Sequence, residues 1–235
     1  MTTFPRTPLT VPPLENGDRL SRAEFERRYA AMPHVKKAEL IEGVVHMAAA
    51  LRFGSHAEPH SFLMAWLVLY VAATPGVRVG DNPTVRLDPD NLPQPDGILR
   101  LDPEFGGRSR ISSDDYVEGP PELVVEVSAS TATFDLQDKK AVYRRNGVQE
   151  YLVWQVFDRK IDWFYLEAGR YVDLEPGEDS LCRSRIFPGL WLDRGAMVQG
   201  NLAQVLAVLQ QGLQSSEHQA FVEKLQLIPS SGQDL

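Results

Sequence analysis

The chain has one cysteine, Cys182, among its 235 residues. A lone cysteine excludes an internal disulfide framework and every Cys-x-x-Cys redox or zinc motif. Positive charge is also scarce. Lys and Arg number 24 against 32 Asp and Glu, a formal net charge of -8. That excludes a basic coat for nucleic acid but not a local basic groove. Long hydrophobic runs are missing too. The longest, Phe62–Ala73, has about 12 residues where a membrane-spanning helix needs roughly 20. The first residues are rich in Pro and Thr and have no apolar signal core. These absences predict a cytoplasmic protein in a reducing compartment, with no membrane partner. There is no Gly-x-Ser-x-Gly elbow, no P-loop and no Gly-x-Gly-x-x-Gly fingerprint, so three common catalytic frameworks are absent. Internal repeats and low-complexity tracts are absent as well.

What is present suits a folded domain. Hydrophobic residues make up 43% and charged residues 24%, enough to build one core at this length. Residues 1–18 read as a flexible N-terminal arm, 19–188 as the principal domain, and 189–235 as a C-terminal helical extension packing on or beside it. Ser21 and Glu24 have capping-box spacing and open a helix over Ser21–Met32 that Pro33 stops. Two short strands with a turn at Gly43 follow within Ala38–Met47. His60–Ala73 is a helix, apolar nearly all round and so buried on most sides. Val77–Val79, Thr84–Leu87 and Asp96–Leu101 read as strands, and Glu104–Glu118 as a polar surface loop. Glu122–Val127 has the near-continuous apolar pattern of a central strand. After a polar turn at Ser128–Thr133 comes a helix, Phe134–Asn146, ended by Gly147. Glu150–Phe157 is a further apolar strand, and Ile161–Leu166 with Arg170–Leu174 makes a hairpin. An amphipathic helical stripe over Ala203–Leu227 breaks near Gly212–Ser216. The pattern is α/β with a mixed central sheet.

Three residues within this pattern carry chemistry. Glu126 interrupts Leu-Val-Val-Glu-Val, where a buried carboxylate needs a cation, a metal or an exit to water. Asp96 follows Pro95 and opens a neighbouring strand. Two carboxylates converging at one sheet edge suit a hard divalent cation such as magnesium. Lys139 lies on the helix after Glu126, where an ammonium can orient a water or offset charge on a phosphate. Each has a plainer alternative. Glu126 can pair with a lysine at a strand end, and Pro-Asp is ordinary turn chemistry. Asp135 and Lys139 can form an exposed i, i+4 pair worth about 0.3–0.5 kcal/mol. Lys140, Arg144 and Arg145 complete four basic residues in seven positions. They are the local candidates for contacting phosphates of nucleic acid.

The ordered set resembles a known family. Its pieces are Glu39-Leu-Ile-Glu-Gly43, a histidine opening the next helix, Pro95-Asp96, Leu-Val-Val-Glu126-Val-Ser128, Asp135-Leu-x-x-Lys139-x-x-x-Tyr143 and Gly147-Val-x-Glu-Tyr-Leu-Val153. Together they resemble the Uma-two family, restriction-endonuclease-like bacterial proteins of the PD-(D/E)XK nuclease superfamily. The likeness runs from Ala38 to Leu174, within 19–188, and the tail from Gly189 resembles an extension of longer members. The resemblance implies a restriction-endonuclease-like αβββαβ core with an extra hairpin and a C-terminal helical tail. It also implies Mg2+-dependent hydrolysis of phosphodiesters, with Mn2+ as a substitute. By that likeness Asp96 and Glu126 hold the metal beside the Val127 carbonyl, and Lys139 assists the attacking water. Glu39, Ser128, Asp135 and Tyr143 support them, although Glu39 can equally be an exposed charge at a strand edge. The superfamily pattern has a lysine two residues after the second acid, where this chain has Ser128. Lys139 matches the family's relocated lysine.

Competing readings differ in class. His56 and His60 have i, i+4 spacing, but His56-Ala-Glu-Pro-His60 is not His-Glu-x-x-His and contains Pro59. A zinc hydrolase is therefore disfavoured, with His56 expected in a loop and His60 at the helix start. Cys182 has no evident histidine partner and reads as a bystander. Trp154, Trp163, Phe164 and Tyr165 read as core and hairpin packing. The stronger rival is a catalytically inactive nuclease fold that binds nucleic acid or protein as a regulator. The acidic net charge favours that rival, and the retention of Asp96, Glu126 and Lys139 favours the enzyme. The expected partner is nucleic acid, DNA first. The apolar stripes of Phe62–Ala73 and Ala203–Leu227 offer surface for a homodimer, although the first is expected to pack on its own sheet.

Overall fold

The computed structural model describes residues 11–47, 51–129 and 131–227. Most of the arm expected over 1–18, and part of the turn over Ser128–Thr133, lie outside them. Helix α1, Arg22–Ala30, begins as its cap dictates. The Ser21 hydroxyl accepts from the Glu24 amide at 3.4 Å. The capping box is only half made, because the Glu24 carboxylate turns to Arg27 and Arg28, each at 2.7 Å. Strands β1, Ala38–Ile41, and β2, Val44–Met47, form a hairpin whose two-residue turn, Glu42-Gly43, has φ of 52° and 70°. Positive φ at both positions is the turn that matches strand twist. The hairpin stands outside the central sheet, and Leu40 exchanges backbone hydrogen bonds with Leu92 at 3.1 and 2.7 Å.

A π-helical turn at Phe53–Ala57 leads into helix α2, Glu58–Ala72. Strands β3, Val77–Asp81, β4, Gly97–Leu101, and β5, Leu123–Ser128, follow. A short helical turn and a second π turn, Asp135–Lys139, lead into helix α3, Lys140–Asn146, which ends at Gly147 with φ 81°. Strand β6, Glu150–Gln155, completes the expected αβββαβ succession. The extra hairpin is β7, Lys160–Glu167, with β8, Arg170–Asp173. The sheet order is β8-β7-β6-β5-β4-β3, with β5 and β6 parallel and the other neighbours antiparallel. Only that parallel pair needs a crossover, and the π turn with α3 supplies it.

Two expectations change in detail. The strand expected at Thr84–Leu87 is only Val85–Arg86, and it pairs with Val117–Glu118 away from the central sheet. The stretch expected as loop, Glu104–Glu118, also holds the short strand Arg110–Ile111. Two-residue strands are too short to leave a periodic signal.

Alternation along the strands builds two layers. Leu99, Leu123, Val125, Leu152 and Trp163 pack with Leu63, Trp66 and Tyr70 of α2. Trp66 and Trp163 meet edge to face with centroids 5.7 Å apart. Ile98, Val124, Tyr151, Val153 and Phe164 face the other way, with Tyr143 of α3. Trp154, Trp163, Phe164, Tyr165 and Cys182 are all buried. Helices α4, Leu202–Leu213, and α5, Ser216–Gln226, are capped by Asn201 and Ser215. They lie on the α2 side, where the Trp66 indole N–H donates to the Trp191 carbonyl at 2.9 Å and Thr74 Oγ1 lies 3.0 Å from His218 Nε2.

Candidate active site

The period of two along a strand decides where the carboxylates point. Val125 and Val127 face α2, so Glu126 between them faces α3. Gly97 pairs with Val125 across β4 and β5, so the register carries Asp96 opposite Glu126, on the same face as Ile98. The two carboxylates therefore share one end of the sheet. Asp96 Oδ2 accepts from the Val127 amide at 2.7 Å. Both groups are almost fully buried, Asp96 at 2% and Glu126 at 3% exposure.

Lys139 reaches them from the π turn. The Lys140 N–H bonds the Asp135 carbonyl five residues back, and such a widened turn redirects the side chain that precedes it. Lys139 Nζ lies 2.9 Å from Glu126 Oε1, 2.8 Å from Glu39 Oε1 and 3.8 Å from Asp135 Oδ1. Glu39 also accepts from the Gln94 amide at 2.7 Å, and the Tyr143 hydroxyl donates to Glu126 Oε1 at 2.9 Å. Asp135 Oδ2 accepts from Thr131 Oγ1 at 2.7 Å, and Ser128 Oγ lies 3.2 Å from that hydroxyl. The Asp135–Lys139 pair is buried, not exposed. The structure thus brings Asp96, Glu126, Lys139, Glu39, Ser128, Asp135 and Tyr143 together.

Lys140, Arg144 and Arg145 do not join this group. Lys140 Nζ sits 3.2 Å from the centre of the Phe164 ring, Arg144 donates to the Gly169 carbonyl at 3.0 Å, and Arg145 pairs with Glu42. They face other directions because neighbouring helix positions point about 100° apart.

Three residues arrive that sequence reasoning did not place here. Lys37 Nζ lies 3.0 Å from Asp96 Oδ1, and His56 Nε2 lies 3.3 Å from Asp96 Oδ2. His60 Nε2 lies 3.0 Å from the Asp96 carbonyl and 3.1 Å from Asp81 Oδ1. The expectation that His56 sits in a loop gives way to a π turn running straight into α2. Pro59 is tolerated because it occupies the first turn of α2, where no helical N–H is needed. The i, i+4 spacing was the signal for this pair, and for His60 also the histidine that opens the helix in the family-like set. Lys37 had none.

Two other buried carboxylates lie at the opposite end of the sheet. Glu122 accepts from the Leu101 and Arg108 amides at 2.8 and 3.0 Å. Glu150 accepts from the Arg185 and Ile186 amides, the Ser184 hydroxyl and the Trp163 indole. Both tie loops to strand ends.

In the first group the carboxyl groups are shifted in opposite directions. Burial pushes Glu126 up to about 8; Lys139 opposes this, while Asp96, Asp135 and Glu39 reinforce it. Burial also raises Asp135. For Asp96 burial is outweighed by the His56 hydrogen bond, the Lys37 charge and the Val127 amide, which hold it below the usual carboxylate range. Burial works against the charge of Lys139, but Glu126, Glu39 and Asp135 raise it well above an ordinary lysine.

Four carboxyl groups (Glu39, Asp96, Glu126 and Asp135) thus share two ammonium groups, Lys37 and Lys139. They line a cavity of about 820 Å³. Among the described residues, no three His, Cys, Asp or Glu side chains form a ready metal cluster. Magnesium does not require one, since it binds through one or two carboxylates and keeps waters. Oxygen donors, an excess of carboxyl groups and a cavity fit such an ion. Glu126 Oε2 accepts no hydrogen bond from a described residue, since Lys139 and Tyr143 both use Oε1.

This geometry sits inside a recognised sequence family. The family model named Uma2, described as "Putative restriction endonuclease", matches residues 22–195. No curated protein matches the chain. Among solved structures, that of "a putative nuclease belonging to DUF820" from Anabaena variabilis is similar, with a TM-score of 0.56 and 13% identity over 73% of this chain and 97% of that one. A likeness at that identity is one of fold. The chain belongs to the Uma2 family and has the restriction-endonuclease-like fold.

Proposed function

We propose that the chain is a metal-dependent endonuclease that hydrolyses phosphodiester bonds of nucleic acid, DNA being the expected substrate. The observation that carries this reading is the meeting of Asp96, Glu126 and Lys139 on the wall of one cavity, with more carboxyl groups than cations. Membership of a family described as a restriction endonuclease supports it. Asp96 and Glu126 would hold Mg2+, or Mn2+ in its place. When bound, such an ion polarises a phosphoryl oxygen and acidifies water. Lys139 keeps its proton between Glu39 and Glu126 and offsets charge that develops on the phosphate. The Tyr143 hydroxyl fixes the orientation of Glu126. Asp135, held by Thr131, steadies the π turn that aims Lys139.

Circular single-stranded DNA and supercoiled plasmid test the reading. Wild type is expected to cut in magnesium or manganese and not in EDTA, and Asp96→Ala is expected to lose the cutting. No cutting by wild type in either metal, or equal cutting by Asp96→Ala, contradicts it.

A further inference from the structure

The mouth of the cavity differs chemically from its floor. Leu51 and Phe157 both line it and are each 65% exposed. They come from separate segments, Leu51 ahead of the first π turn and Phe157 in the turn between β6 and β7. Phe134 lines the wall nearer the floor, with Lys139 Nζ 5.9 Å from its ring centre and the His46 ring 4.5 Å away. Two exposed apolar side chains on the lining of one otherwise polar cavity offer a ligand an apolar contact beside its polar groups.

The charge of the lining is as informative. Asp138 joins the four carboxyl groups already described, and Arg52 joins the two lysines. Five acids stand against three lysine and arginine side chains, with His46 and His56 beside them, so the lining carries little positive surplus even after a divalent cation binds. The other basic residues of this region, Lys140, Arg144 and Arg145, are engaged elsewhere. Binding to duplex DNA draws its strength from neutralising several backbone phosphates. Here that source is weak, and the chain as a whole carries -8. A single strand adds a second source, the stacking of an unpaired base on an aromatic face, worth roughly five- to 150-fold in affinity per base. A base inside a duplex is available to such a surface only after it is flipped out.

We propose that the substrate is single-stranded or locally unpaired nucleic acid. Its bases seat on Phe157 and Leu51 at the mouth, and its phosphodiester lies on the Asp96, Glu126 and Lys139 floor. The proposal rests on the nuclease reading for what happens at the floor, but its binding half stands separately. The shared chemistry is an unpaired base beside a phosphodiester, so deoxyribose and ribose strands are separate arms of the test.

The test is fluorescence anisotropy with a labelled mixed-sequence 15-mer as single-stranded DNA, single-stranded RNA and duplex DNA, in calcium and in EDTA. At least one single strand is expected to bind ten-fold or more tighter than the duplex. Phe157→Ala is expected to weaken that binding five-fold or more, Leu51→Ala to weaken it by a smaller measurable factor, and Phe157→Trp to retain it. Both side chains are exposed, so the fold should survive, and circular dichroism checks that. Duplex binding as tight as single-strand binding, or unchanged affinity in both alanine variants, overturns the proposal. Cutting of linear duplex without single-strand preference removes the substrate assignment and leaves the nuclease. Single-strand binding without cutting in magnesium removes the nuclease and leaves the substrate assignment.

Discussion

Lys139 is surrounded by three carboxyl groups, and its side chain is 4% exposed. Removing its charge leaves the buried Glu39, Glu126 and Asp135 carboxyl groups facing one another with no ammonium between them. Lys139→Met is therefore expected to destabilise the fold by about 3–5 kcal/mol, the scale for breaking a buried pair. Urea denaturation measures it, and an unchanged midpoint would contradict the placement.

Glu150, at the other end of the sheet, gives a pH signature. Burial pushes it from 4.5 up to about 7, against four hydrogen bonds that pull it down. Between those values the folded chain holds a proton that the unfolded chain has released. Stability therefore falls as pH rises through that window and levels off above it. Glu150→Gln should remove this part of the fall while losing an acceptor, at a cost of about 1–3 kcal/mol. Urea midpoints from pH 4.5 to 8 read both effects, and an identical slope in the variant would contradict the assignment.

The candidate site was legible where one residue broke a local rule. Glu126 stood out as a carboxylate inside an apolar strand, and Lys139 as a lysine on the helix that follows. Lys37 and His56 were not legible, because tertiary routing of their segments brings them to Asp96. Composition gave Lys140, Arg144 and Arg145 their charge but not their direction.

Close contacts between elements also set the site. Gly97 sits where β4 runs under α2. A Cβ there would come 2.8 Å from Val125 Cγ2 and 3.1 Å from Met64 Sδ. Val125 belongs to the strand that carries Glu126, so an added methyl pushes apart the two strands whose register aligns the carboxylates. Gly97→Ala is expected to destabilise by about 1–3 kcal/mol, the usual scale for overpacking. A variant as stable as wild type in urea would show that β4 has room to move. Long elements could be read from their patterns, because periodicity reports burial over several residues. Both π turns were missed. Each is a local choice of hydrogen-bond partner, five residues back instead of four, and no run of residues encodes it. Pro59 illustrates the limit: it suggested a break, and it lies in the first turn of a helix that continues.

At the scale of the whole molecule, two apolar layers enclose one sheet, and the C-terminal helices close the α2 side. Leu209 is fully buried in that layer with Trp66 and Trp163. Leu209→Ala is expected to cost about 2–5 kcal/mol. It should leave a single unfolding transition when tryptophan fluorescence and far-ultraviolet circular dichroism are compared. Two separated transitions would show that the helices fold apart from the sheet. The crossover between β5 and β6 was legible from the strand–helix–strand pattern. The standing of the β1–β2 hairpin outside the central sheet was not, since an isolated hairpin and a sheet edge share the same alternation. What the architecture achieves is local. It gathers carboxylates on one sheet end and aims one buried lysine at them.

The most direct test of that arrangement is single-turnover cleavage of single-stranded DNA in saturating magnesium by wild type, Lys139→Arg and Lys139→Met. Folding of each variant is verified beforehand. If Lys139 acts on the reacting phosphate, Lys139→Met loses about 100- to 1,000-fold in rate, and Lys139→Arg, which keeps the charge, retains part of it. Equal rates for wild type and Lys139→Met would contradict the account.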